Sequence, residues 1–573
     1  MTSFNFKKWN TILGWFAFIV ALFTYSLTVE PTLSFWDCGE YIATSANLEV
    51  GHPPGAPLFQ MLGAFFAMFA VSADKIALMV NYLSVFSSAF TVLFMFWSLT
   101  LLLKKLAGTS KEISTNQNLL ILGSSLIASL SFTFSDSFWY NAVEAEVYAM
   151  ASFLIALLFW LGLRWEQELE TPRGNKWLLI ISLVIGLSFG VHFMALLTFP
   201  AIGFLYFFKK YKNVTVKSFL LANVVIVAIL LFIFKLLLPF TLGFFGKTEI
   251  FMVNELGLPF NSGTIFAFLL IVAVFYFGLN YTKKKGHIFY NTLILSTLFI
   301  LIGFSTWLML PIRANANTPI NENKPSDAAE VLAYYNREQY GEQKLFYGPQ
   351  FSDAYSGLDS ITPYLDDKPN YERDYKSGTY IITNNFKNAK QNTDDAHKAF
   401  LPRMWSNEHN VNYMTFGEPL EFQINPEYAH EDELVQLVTE FRKGFARFLN
   451  TYGEYLIVEK PSFASNMKFM FQYQFGYMYG RYLLWNFVGR QNDNQGKYDD
   501  MNGNWITGIS FIDELLVGSQ KNLTSDMQNN KGRNIYFGLP FILALIGIFY
   551  HAKKDVKSFY VLLALFLFTG LAL

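Results

Sequence analysis

The chain is poor in charge and almost empty of cysteine. Only 15% of its 573 residues are Asp, Glu, Lys or Arg, against about 25% in a soluble protein. With 53% hydrophobic residues, this excludes an ordinary soluble protein and points to a chain built for the bilayer. The formal net charge of −1 excludes a nucleic-acid binder that works through bulk electrostatics. The single cysteine, Cys38, excludes an intramolecular disulfide and leaves the redox compartment unread. No Cys/His cluster has zinc-ligand spacing. Glycine-rich dinucleotide or P-loop motifs, a GxSxG elbow and HExxH are all missing, as are internal repeats and low-complexity linkers.

Aromatic side chains are plentiful instead, at 18% of the chain with 61 Phe. Most suit lipid-facing and core positions, which leaves a few rings to stack on a sugar. Apolar runs long enough to cross a bilayer, or nearly so, lie at 11–29, 78–103, 118–135, 147–163, 177–190, 193–208, 217–239, 263–280, 288–311, 535–550 and 557–573. The first is long for a signal peptide and lacks a small-x-small cleavage site, so it reads as a retained span. The fold class expected is an all-α polytopic membrane protein with a mixed soluble domain inserted between spans.

Lysine and arginine set the orientation. With the N-terminus inside and 56–73 not crossing, six basic segments fall on one side. They centre on Lys7/Lys8, Lys104/Lys105/Lys111, Arg164/Arg173/Lys176, Lys209 to Lys217, Lys283 to Lys285 and Lys553 to Lys557. The short outer loops 30–55, 136–146, 191–192 and 240–262 then hold only Lys247. A crossing at 56–73 would invert the rule, so this run, which follows Pro53, Pro54 and Pro57, is expected to lie in or re-enter the outer interface. The chain thus divides into a membrane core 1–311, an outer domain 312–534 and two further spans in 535–573. Within the outer domain, Leu434, Leu437, Val438, Phe441, Phe445 and Phe448 follow helical spacing and predict one amphipathic helix. The aromatic stretch 471–488, with Arg481 inside it, predicts a helix at headgroup level. The chain stops at Leu573 inside an apolar run with no polar flank, as a fragment would.

Acids next to spans gather on the outer side: Asp37, Glu40 and Glu49 after the first, Asp136, Glu144 and Glu146 after the third. His52, His192 and Arg313 join them there. Such groups at a membrane surface suggest an outward-facing polar cavity. Each also has a plainer reading. Ser34 and Asp37 fit a capping arrangement, with Asp37 at the start of a helix running to Leu48 and Glu40 at its third position; spacing leaves cap and catalyst both open. Glu144 and Glu146, two apart, do not share a helix face. His52 could serve its turn, His192 a core hydrogen bond, and Arg313 an interfacial anchor.

Together the motifs resemble a known family. "FWDCGEYI", "GHPPGAPLF", "AEVYAM", "LPIRA" and "YMYGRYLLWNFVGRQND" are similar to the bacterial multi-spanning family related to the vertebrate transmembrane protein O-mannosyltransferase, placed among the GT-C glycosyltransferases. The resemblance implies an inverting transfer of a sugar, mannose or another hexose, from a polyprenyl-phosphate donor to a hydroxyl, protein Ser/Thr first among acceptors. It implies a multi-pass protein of the bacterial inner membrane whose site faces the periplasm and meets exported proteins. The first outer loop of such enzymes carries the acidic catalytic residue, which favours Asp37 as base with Glu40 tuning it. His52, Arg313 and Arg481 would then hold the donor phosphate, and Glu144, Glu146 and His192 the sugar or acceptor. No cofactor is expected, and no metal, because a phosphate that leaves already charged does not demand one. Members typically continue beyond this length. The rival classes are a lipid-linked sugar transporter or flippase, and a non-catalytic envelope scaffold.

Overall fold

The computed structural model describes residues 4–108, 113–341, 344–355, 357–441 and 443–571; Lys111 and Leu573 lie outside these. It divides into two compact units, 1–339 with 542–573, and 340–541. The stretch 312–339 therefore joins the helical unit, because its backbone laces onto the first loop, with Val50 N–H donating to Ile320 O at 3.1 Å and Glu322 N–H to Val50 O at 3.0 Å.

The first unit is a polytopic helical membrane fold. Among the described residues seven helices are long and apolar enough to cross a bilayer, and an eighth crossing forms if Thr115–Thr133 and Asp136–Ala142, bent by 67°, are taken as one. The central helix Ile76–Ala107 packs against Phe6–Leu27, Thr115–Thr133 and Val147–Glu168. Serine and threonine side chains turn inward along it (Ser84, Ser87, Ser88 and Thr91 are buried). Two of them, Ser87 and Thr91, bond back to the carbonyl four residues earlier, which satisfies them where no water reaches. Helices Gly174–Ser188 and Ile288–Phe304 cross where Gly186 faces Ile300 and Gly303. A Cβ at either glycine would run into the other backbone, so only glycine allows this approach.

Pro57–Ala67 is an 11-residue helix. At 1.5 Å per residue it is about 16 Å long, too short for the ~30 Å hydrocarbon core. Two expectations are corrected. The stretch 240–262 is not simply a loop: the span beginning at Val216 continues as helix to Asn254. It continues because Glu249, buried on this helix, accepts from the backbone of Asn261 and Thr264 at 2.6 and 2.8 Å, tying it to the start of helix Ser262–Lys284. The helical run from Ile288 also passes Pro311 to end at Asn315, which puts Arg313 on its last turn.

The second unit is mixed. Leu420–Ile424 is the middle strand of an antiparallel sheet between Lys443–Gly444 and Leu456–Val458. Among the described residues the unit also has four two-stranded ladders. Its core holds Phe351, Met404, Tyr413, Phe416, Leu449 and Phe469. The amphipathic helix expected over 434–448 is two pieces, Asp432–Glu440 and Ala446–Tyr452. The sheet takes Lys443 and Gly444 between them as an edge strand, so pairing overrides the periodicity. The aromatic stretch is helical as expected, with wide π-type turns over Met470–Gly480 followed by helix Arg481–Phe487.

Candidate active site

Helix Cys38–Asn47 buries Cys38, Tyr41, Thr44 and Ser45, the i, i+3, i+6, i+7 face of its sequence. It starts at Asp37 and stops at Leu48, whose left-handed φ of 50° turns the chain back. The returning loop carries His52 past Glu40, and this contact organises the site. Glu40 accepts from the His52 backbone N–H at 2.6 Å and meets the ring Nδ1 at 3.0 Å. Gly51 makes room for it: a Cβ there would strike Glu40 Oε1. Tyr334 fixes the same loop by donating its hydroxyl to Gly51 O.

The Nε2 of the His52 ring faces Asp37 Oδ2 at 3.9 Å. Asp37 stands at the N-terminal position of the helix but its carboxylate makes no capping bond there, and the side chain is 58% exposed. Of the two readings the spacing leaves open, the side-chain cap is not formed. The backbone of Asp37 explains it: at φ −81° and ψ −5° it is already helical, and a capping side chain reaches back from an extended backbone; the residue before it, Trp36, sits at φ 62°, a sparsely populated region for a non-glycine. Phe35 and Trp36 themselves are 86% and 95% exposed, as suits aromatic side chains at a headgroup interface.

The second loop arrives from more than a hundred residues away. Glu144 accepts from Ser34 Oγ at 2.8 Å, and buried Glu146 lies 3.6 Å from Cys38 Sγ. The two acids, two apart in sequence, take different neighbours as their alternate directions require. Asp37, Glu40, His52, Glu144 and Glu146 thus converge.

The electrostatics follow from that crowding. The bond to Glu40 lifts the His52 imidazole above its usual value against the opposing effect of burial, helped by the charges of Glu40, Asp37 and Glu322. Burial opposes ionisation of Glu40, but the His52 ring and amide outweigh it and hold the carboxyl below its usual range. Burial, then the Asp37 charge, pushes Glu146 up to about 7. Burial pushes the Cys38 thiol up to about 12, which leaves it a neutral donor rather than a nucleophile. Burial raises Glu144 as well. Among the described residues no group of three or more His, Cys, Asp or Glu side chains is placed to hold a metal ion.

A pH test follows. A carboxyl lifted by its folded surroundings contributes stability below its unfolded value, near 4.5, that is lost as pH rises through about 7. Glu146→Gln is therefore expected to gain stability on the parent chain across that window, as read by thermal unfolding in detergent; a difference that stays flat with pH would show Glu146 is not perturbed.

The other expected residues sit apart. Arg313 donates to the carbonyls of Leu48 and, at 3.1 Å, Asn47, so it caps the C-terminus of the site helix, where a cation meets the dipole favourably. That is one helix length, about 15 Å at 1.5 Å per residue, from Asp37. His192 accepts from Met194 N–H at 3.1 Å beside the Tyr148 ring; burial, then Arg337, keeps it below its usual value. Arg481 belongs to the second unit, donates to Gly503 O at 2.6 Å and Tyr477 O at 3.2 Å, and lies over the Tyr477 and Trp485 rings. Sequence reasoning missed Glu322 and Tyr334 as partners of the His52 loop. Neither stands near it in sequence, and no local signal announces the pairing.

Residues 37–215 match the family described as the protein O-mannosyl-transferase TMEM260 N-terminal domain. The match opens on Asp37 and takes in His52, Glu144, Glu146 and His192. Residues 341–471 match a family of unknown function, DUF8416. The protein O-mannosyl-transferase tmem260 of Dictyostelium discoideum is 26% identical over 195 residues, 32% of this chain and 22% of that protein. TMEM260 of Mus musculus is 28% identical over 173 residues, 30% of this chain and again 22% of that protein. The chain thus spans about a fifth of the length of these curated relatives. No solved structure matches. Through the segment that carries its converging acids, the chain is related to the TMEM260 protein O-mannosyl-transferases.

Proposed function

We propose that this chain is an inverting membrane glycosyltransferase of the GT-C type. It moves a hexosyl group, mannose by preference, from a polyprenyl-phosphate donor to a hydroxyl acceptor, protein Ser/Thr first. The observation that carries the reading is the uncapped Asp37 carboxylate, 3.9 Å from a His52 ring that Glu40 holds from behind. The names of the relatives, protein O-mannosyl-transferases, support mannose and a protein acceptor.

In this reading Asp37 accepts the proton of the attacking hydroxyl. The Glu40 bond keeps the His52 proton on Nδ1 and favours the charged ring. The imidazolium then faces both Asp37, 3.9 Å away, and the place where the phosphate leaves. The C–O bond to phosphate breaks as the acceptor oxygen bonds to the opposite face, so the anomeric centre inverts through an oxocarbenium-like state. The departing phosphate takes the bonding pair, and cationic stabilisation rather than a strong acid serves it. Arg313, by capping the far end of the helix about 15 Å from Asp37, holds Asp37 and Glu40 in register, which favours a positioning role over contact with the leaving phosphate. Glu144, Glu146 and His192 suit sugar or acceptor hydroxyls. Arg481 is engaged within its own unit, which favours a structural role there. The lysine distribution supports an outer-face site, periplasmic in a bacterial inner membrane, with the exposed Phe35 and Trp36 at the donor's headgroup depth.

The test is mass spectrometry of exported proteins from cells with and without the gene. Hexose on Ser/Thr that disappears with the gene is expected. An unchanged glycoprotein profile would contradict the proposal and leave the transporter and scaffold classes standing.

A further inference from the structure

The second unit holds a cleft of about 650 Å³ lined by Tyr355, Asn407, Asn410, Asn450, Thr451 and Glu454, with Phe351 and Leu449 beneath. Its size falls within the ~300–1,000 Å³ of small-molecule sites. Among the described residues no Lys, Arg or His lines it, so an anionic ligand would find no counter-charge there. Amides and hydroxyls dominate the rim, and each amide offers donors and an acceptor together. That mixture answers a neutral ligand whose own hydroxyls both donate and accept.

The cleft is also built. Asn410 Nδ2 donates to the Tyr355 hydroxyl at 3.0 Å, and this hydroxyl donates on to Asn450 Oδ1, also at 3.0 Å. The chain of bonds runs from helix Asn410–Phe416 across to helix Ala446–Tyr452 and locks the Tyr355 ring at the wall. It leaves the other amide atoms, Asn410 Oδ1 and Asn450 Nδ2, unused by these bonds. An aromatic side chain fixed among amides suits a pyranose, whose C–H face packs on aromatic carbon and whose hydroxyls exchange hydrogen bonds with amides.

We propose that this cleft is a carbohydrate-binding site for a neutral hexoside, a mono- or disaccharide, separate from the Asp37 site. The inference stands on the cleft alone and does not require the transferase reading.

The experiment titrates methyl α-mannoside and an α-linked mannobiose into the purified chain in nanodiscs, followed by saturation-transfer NMR. Saturable binding is expected in the parent chain and equally in Asp37→Asn, so that failure here and failure of the transferase reading remain distinct. Asn450→Asp, of the same size, and Tyr355→Ala should each weaken it about tenfold, the effect of losing roughly 1.4 kcal/mol of contact. Tyr355→Phe, which keeps the ring and its packing, should weaken it less than Tyr355→Ala. Three results would overturn the proposal: no saturable binding of either sugar, binding untouched by Asn450→Asp and Tyr355→Ala, or equal binding of an unglycosylated Ser/Thr peptide.

Discussion

Asp37→Asn is expected to slow hexosyl transfer by about 10²–10⁴-fold, the range for removal of a general base, while the chain stays folded. Asparagine keeps the shape and removes the basicity. It would also serve as a helix cap as well as aspartate does, so a capping role predicts no effect at all. Because the Asp37 carboxylate makes no cap bond and is more than half exposed, the substitution should leave the unfolding temperature almost unchanged. The fall should appear in kcat, with donor KM little altered, since the lost interaction is one made in the transition state. Transfer that survives within a few-fold would remove Asp37 from the role of base and turn attention to Glu146, the buried acid held near 7.

The second large effect is expected at Glu40. Glu40→Ala strips the His52 loop of a bond to its amide and a bond to its ring, both half-buried and charge-assisted. Stability should fall by about 2 kcal/mol, and transfer by about a hundredfold, the lower end for loss of a group that stabilises developing charge. The pH dependence has a definite sign. The raised His52 value means the pairing is fully present below its unfolded value near 6.5 and is lost as pH rises through the higher folded one. The lowered Glu40 value means its share is present above about 4.5 and lost as pH falls through the lower folded one. The stability gap between parent and Glu40→Ala should therefore be widest between these limits and close on either side. Glu40→Gln, which keeps one acceptor, should fall between the two. A gap that does not vary with pH would show the two groups are not an ion pair.

The reach of the sequence can be judged on particular elements. The apolar runs gave most of the membrane helices, because hydropathy is a local property. The lysines alone argue that the proline-led run at 56–73 does not cross; what it forms is an 11-residue helix. The amphipathic helix over 434–448 was misread, because a strand pairing from Leu420–Ile424 decides the fate of Gly444 and no window of neighbours contains it. At the site, the acids could be collected from their positions beside spans. The 3.0 Å grip of Glu40 on His52 could not be read, since it depends on how Leu48 reverses the chain. Arg313 shows the limit from the other side. The sequence places it at the outer end of a span and expects it on the donor phosphate, but it caps backbone carbonyls at a helix end that sequence cannot bring to it.

The account rests most directly on one claim, that this site transfers a hexosyl group from lipid phosphate with inversion. The measurement is incubation of the purified chain in nanodiscs with a polyprenyl-phosphate mannose of known anomeric configuration and a Ser/Thr peptide, with the anomeric proton of the product read by NMR. The account predicts a mannosyl peptide of the opposite anomer, and its loss in Asp37→Asn. A product that retains the donor's configuration, or no transfer while the same preparation moves the lipid-linked sugar across the bilayer, would contradict it.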